Sequence, residues 1–183
     1  MVFMQRRRYR KVDDQSERPS NLTHEERRKK VFERAAKLLA AKSRSVAELR
    51  ERLLQGRHAN QTIVEEVIAR LREYGYLDDE RFAVTFASSK VKQKPTGRRR
   101  LERDLSLKKI DKAVAAQALD TVFAETSEED LIDRAIEKRI RLRGRPKTRE
   151  EAKSLFDHLL RQGFPFELVS DKVRAASRAD LDE

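Results

Sequence analysis

A chain of 183 residues with 41% charged, 38% hydrophobic and 6% aromatic residues is lean for one large core; it suits small helical units that each bury a narrow stripe and stack on their neighbours. Its 43 Lys and Arg against 32 Asp and Glu leave a net charge of +11, which favours a polyanionic partner: nucleic acid, an acidic protein face or anionic lipid. The lack of cysteine excludes disulfides and thiolate metal sites, and no apolar run reaches signal-peptide length or the roughly 20 residues of a membrane span, so the chain reads as soluble and cytoplasmic, with no membrane partner.

Residues 1–22 lack periodicity and are rich in Arg, Asp, Gln and Ser, which predicts a disordered basic tail. From there apolar residues recur at 3-to-4 spacing, and Gly and Pro mark where each pattern stops. A first helix runs over 23–42 with Val31, Ala35, Leu38 and Leu39 on one face. Ser45 to Glu48 forms a capping box for a second helix, with Leu49 and Leu53 inward and Gly56 at its end. Thr62 to Glu65 has the form of another box, opening a third helix that carries Ile63, Val67, Ile68 and Leu71 and closes at Gly75. Asp78 or Asp79 caps a fourth, bearing Phe82, Ala83 and Phe86.

After the break at Pro95-Thr96-Gly97, Leu101 and Leu105 form the fifth inner face, and Ile110-Asp111 begins a sixth helix with Val114, Ala118 and Val122. Ser127 to Asp130 opens the seventh, with Leu131, Ala135, Ile136 and Ile140, ending at Gly144-Arg145-Pro146. Thr148 to Glu151 is a capping box before Leu155, Phe156 and Leu159, and Gly163-Phe164-Pro165 turns into a last helix with Phe166, Val169 and Val173. Leu105 precedes Ile110 by the same five residues as Leu159 precedes Phe164. The reading is all-α: about nine helices in three tandem three-helix units over 23–77, 78–126 and 127–183, the last with a short tail. The period is about 50 residues, in the solenoid range. A single globule of six to nine helices is the rival architecture.

Two basic clusters stand out. The first holds Lys90, Lys92, Lys94, Arg98, Arg99, Arg100 and Arg103; Arg99 and Arg103 share a helix face, and three consecutive arginines cannot all meet the two nearby carboxylates Glu102 and Asp104. The second holds Lys138, Arg139, Arg141, Arg143, Arg145 and Lys147. Catalysis needs convergent groups, and His24, His58 and His158 are scattered, with no phosphate-cradling loop and no ligand spacing. The chain therefore reads as a binding protein and not an enzyme, with no cofactor and no metal.

At Gly75-Tyr76-Leu77-Asp78-Asp79-Glu80-Arg81-Phe82-Ala83 the sequence resembles the signature of the RecX family. Flanking matches follow in order: Ser45 with Glu48, Leu49, Arg50 and Leu53; then Gly97, Arg98, Leu101, Leu105 and Ile110; then Arg161 to Phe164. The resemblance spans about residues 31–177. It implies three tandem three-helix repeats in an elongated, curved array, and a monomer that binds the RecA recombinase filament on single-stranded DNA, limiting its growth, ATP hydrolysis and strand exchange. The signature residues Gly75, Leu77, Asp78, Asp79, Phe82, Ala83, Gly97, Gly163 and Phe164 then read as largely structural: Gly75 as a left-handed helix end, the aspartates as caps, Phe82 and Phe86 as core. Tyr76 and the first basic cluster are the candidate contacts with the filament or with DNA. Lys109 stands where the family usually has glycine, which implies either a right-handed turn or a strained one. The alternative function is a helical-repeat nucleic-acid-binding protein acting without RecA; the first cluster lacks the interleaved aromatics that base stacking needs.

Overall fold

The structure, a computed structural model, describes residues 22–178; the tail expected over 1–22 lies, apart from residue 22, outside the described residues, as do the last five positions. The described residues form nine helices and no strand. They are α1 (His24–Ala41), α2 (Val46–Leu54), α3 (Gln61–Glu73), α4 (Asp79–Gln93), α5 (Arg98–Leu107), α6 (Lys112–Glu125), α7 (Glu128–Arg143), α8 (Arg149–Gln162) and α9 (Phe166–Arg178).

Local chemistry sets most of the helix starts. Thr23, Ser45 and Thr148 each cap a helix in a full capping box with Glu26, Glu48 and Glu151, so two orphan amides are satisfied at each end. Asp78, Asp111 and Ser127 cap α4, α6 and α7 through side-chain oxygens. One expectation fails here. The box expected at Thr62 does not form, because Asn60 accepts from the Ile63 amide and starts α3 two residues earlier. α2 stops at Leu54 with Gln55 as its C-cap, so Gly56 directly follows the helix end, without a positive φ.

The principal helix–helix packing falls within the triplets α1–α3, α4–α6 and α7–α9, as a three-helix repeat requires. The apolar cores group differently. Val31, Ala35, Leu49, Leu53, Ile63, Val67 and Leu71 close one core within α1–α3, with Leu77 at its edge. A second core is continuous across α4–α9, from Ala83 and Leu101 through Leu119, Leu131 and Ile132 to Leu159, Phe164 and Val169. The turn residues Ile110 and Phe164 are both buried in it, as their shared spacing suggests. Phe166, unlike Val169 and Val173 of the same helix, is 58% exposed and meets Phe156 edge to face.

Candidate functional site

The signature residues gather at the two places where successive triplets meet. At the first junction Asp79, the first residue of α4, accepts from the Val46 amide, the first of α2, at 2.9 Å. Ser45 Oγ donates to the Lys108 carbonyl at 2.6 Å. Lys108 Nζ pairs with Glu48 at 2.7 Å, both side chains half-buried, and Lys109 pairs with Glu51. The α5–α6 turn is thereby fastened to the start of α2.

The second junction repeats this geometry with other residues. Glu128, the first residue of α7, accepts from the Arg98 amide, the first of α5, at 2.8 Å. The Gly97 amide donates to the Gln162 carbonyl at 3.0 Å, and the Arg99 amide to the Gly163 carbonyl at 3.2 Å. The C-terminal end of α8 thus meets the N-terminal end of α5, a favourable alignment of helix dipoles. Contact is close enough that a Cβ on Gly97 would lie 2.5 Å from the backbone of Gly163 and Phe164.

Aligning the two junctions explains Lys109. It occupies the place of Gly163, and both have positive φ, 57° and 92°. The turn is left-handed, so of the two expectations for this lysine the strained one holds. At the second junction backbone touches backbone through Gly97; at the first, the Ser45 hydroxyl stands between, widening the gap by one atom. That spacer leaves room for a side chain at Lys109, whereas a Cβ on Gly163 would sit 2.3 Å from the Arg100 amide nitrogen.

The expected structural roles of the signature follow from this frame. Gly75 has φ 70° just past the end of α3, and its carbonyl accepts from Arg81. Asp78, not Asp79, caps α4. Leu77 and Ala83 are buried. Phe82 and Phe86 are half-buried and stacked at 5.9 Å.

The candidate contact residues divide. Lys90, Lys92, Lys94, Arg99 and Arg103 are exposed and form no ion pair among the described residues; the Lys90 ammonium lies 5.5 Å from the Phe86 ring. Arg98 and Arg100, both candidate contacts, are half-buried. Arg98 pairs with Asp120 at 2.5 Å and lies over Phe123, while Arg100 donates to the Arg161 carbonyl at 3.1 Å. Tyr76 is 66% exposed and edge to face with Tyr74. Tyr74 is held by Arg70, whose guanidinium donates to its hydroxyl. Sequence reasoning missed Tyr74, because it falls on the α3 C-cap, where periodicity stops.

The structure also joins clusters that are about 45 residues apart in the chain. His158 on α8 is surrounded by Arg139 and Arg143 of α7, Lys94 past the end of α4, and Arg161. Burial first, then these cations, hold its imidazole below the usual histidine range. Burial, Arg143 and Arg161 likewise depress Arg139. Arg161 had been noted only as a family match; nothing in the local sequence placed it beside the second cluster. Among the described residues no group of three or more His, Cys, Asp or Glu could hold a metal ion, and no helix is long and apolar enough to cross a membrane.

Comparison with known proteins places this architecture. A family model of the RecX second three-helix domain matches residues 78–119, within the α4–α6 triplet. The chain is 32% identical over 160 residues to the regulatory protein RecX of Amycolatopsis mediterranei, covering 87% of this chain and 90% of that protein. To the regulatory protein RecX of Bacillus licheniformis it is 30% identical over 142 residues, covering 78% of this chain and only 53% of that protein, so it spans little more than half that relative's length. The crystal structure of RecX from Lactobacillus salivarius superposes with a TM-score of 0.71 at 18% identity, over 84% of this chain and 97% of that one.

Proposed function

The chain belongs to the RecX family of regulatory proteins, and on that premise we propose that it restrains the RecA recombinase by binding its filament on single-stranded DNA. The observation that carries this reading is the alignment with a regulatory protein RecX over 90% of that relative's length. The geometry is in keeping with a binder. The signature residues end or cap helices, pack in the core or join triplets, while Lys90, Lys92, Lys94, Arg99 and Arg103 are exposed with no ion pair among the described residues, as is the Tyr76 ring. Such cations suit the phosphates and carboxylates of a nucleoprotein filament. Among the described residues no group of three or more His, Cys, Asp or Glu that could hold a metal ion accompanies them.

We read the protein as a cytoplasmic monomer acting without cofactor, with the units at 23–77, 78–126 and 127–183. Its single-stranded DNA contact, where made, is weaker than its contact with the filament. Co-sedimentation tests this: the protein is spun with RecA filaments on single-stranded DNA and, at the same salt, with that DNA alone. Pelleting with filaments well above pelleting with DNA is the expected result. Equal pelleting with bare DNA would replace the proposal by a nucleic-acid-binding protein that acts without RecA.

A further inference from the structure

Between the C-terminal half of α7 and the N-terminal half of α8 lies a cleft of about 420 Å³. Arg139, Arg143 and Arg145 line it, with Ser154 opposite and Ile140 and Leu155 beneath. The one carboxylate in its lining, Glu151, is already committed: its Oε2 accepts from the Lys147 and Thr148 amides in the α8 capping box. Arg139 reaches only the Ser154 hydroxyl, at 3.2 Å, and none of the three arginines has an ion-pair partner among the described residues. Arg139 and Arg143 stand four apart on α7, a like-charge spacing that destabilises a helix. Arg161 adds its charge beside Arg139, and Lys94 stands with them around His158. Gly144, with φ 80°, turns the chain so that Arg145 enters the cleft from the connecting loop. Beyond the Arg139–Ser154 bond, this concentration of charge has no ion-pair partner among the described residues, and a solvated surface has no need to hold it in a concave site.

We infer that the α7–α8 cleft is a binding site for phosphate groups, held by Arg139, Arg143 and Arg145. Guanidinium forks match phosphate oxygens two at a time, and Ser154 supplies a neutral hydroxyl beside them. The ligand is a polyphosphate or successive backbone phosphates of a single strand, which share this chemistry. A bound anion offsets the repulsion between the arginines and weakens the positive field that Arg139 and Arg143 exert on His158.

The full chain is titrated by calorimetry with inorganic tripolyphosphate and with a thymidine oligonucleotide, in the absence of RecA, so the outcome is independent of the filament proposal. The variant is Arg139→Gln with Arg143→Gln. The reference is Lys29→Gln with Lys37→Gln, two exposed cations on α1. Loss of at least about tenfold in affinity for either probe is expected in the α7 variant alone, the lower bound for removing a charge-assisted hydrogen bond. For the oligonucleotide, the slope of log affinity against log salt should also become shallower by about 1.4, two single-strand contacts at about 0.7 each. Loss for tripolyphosphate alone identifies a free polyphosphate as the ligand; loss for the oligonucleotide alone identifies backbone phosphate. Helical circular dichroism checks the fold, and should the double variant melt early, Arg145→Gln on the loop carries the same comparison. Binding of neither probe to the wild type, unchanged affinities in the α7 variant, or an equal loss in the α1 reference would overturn the site.

Discussion

Gly75, Lys109 and Gly163 all carry a positive φ, but their surroundings differ, and the difference is measurable. A Cβ at Gly75 meets nothing within 4 Å, so Gly75→Ala should cost only the left-handed strain, about 1 kcal/mol. At Gly163 the same Cβ runs into the Arg100 backbone, and Gly163→Ala should lose about 2 kcal/mol or more as strain and overpacking combine. Denaturant melts with equal slopes would separate the two; equal losses would contradict the close second junction. Lys109 offers the converse. Lys109→Gly and Lys109→Ala both remove the ion pair with Glu51, so their difference isolates the backbone, and the glycine variant should be the more stable by about 1 kcal/mol. Alanine equal to or better than glycine would contradict a left-handed turn there. Sequence exposed the departure at Lys109 but not its reason, because the relieving residue is Ser45, more than 60 positions away.

His158 makes a prediction about pH. Its folded pKa lies below the ordinary value, through burial and then its four cationic neighbours, so the unfolded chain binds the proton first. Well above about 6.5 both states are neutral and nothing changes; as pH falls through that value, protonation draws the chain toward the unfolded state and stability drops. The melting midpoint should therefore fall less between about pH 7.5 and 5.5 in His158→Gln than in the wild type. Parallel pH profiles would show that the imidazole does not feel those neighbours.

At the scale of the elements, caps were the most legible feature. Ser45, Thr148 and Asp111 start their helices where the sequence puts them, because capping is local chemistry within four residues. The failure at Thr62 is local too: Asn60, two residues earlier, offers a competing cap. The candidate site was legible only as composition. The sequence gives three adjacent arginines equal standing, but the Arg98 side chain is held by Asp120 and Phe123 of α6 and that of Arg100 by the Arg161 carbonyl near the end of α8, which leaves the Arg99 side chain outside. The informative surface variant is therefore Arg99→Glu with Arg103→Glu, one exposed face of α5. It should weaken binding to RecA filaments by roughly tenfold at low salt with helicity unchanged. Unaltered affinity would move the contact face away from α5.

The described residues form two apolar cores and two junctions of one design. The α1–α3 core is closed and meets the rest through Ser45, Asp79 and two ion pairs, whereas α4–α9 share one interior. Periodicity foretold three equal units but not this grouping, since which triplets fuse their cores depends on side chains that meet across 30 or more residues. For the proposed role the arrangement has a use. A filament repeats one surface along its length, so a protein with contacts on separate units can touch two protomers. If each contact alone has a dissociation constant on the order of 100 μM and tethering supplies roughly 1–10 mM effective concentration, the second strengthens binding about 10- to 100-fold. That is roughly 1.4–2.7 kcal/mol, enough to turn a feeble contact into a regulator.

Action on RecA through the filament, as proposed for this chain, is read out by steady-state ATP hydrolysis by RecA on single-stranded DNA, titrated with the full chain. Hydrolysis should slow at or below one protein per RecA protomer, with the effect fading as salt rises. Hydrolysis unchanged at a tenfold excess over RecA would contradict it.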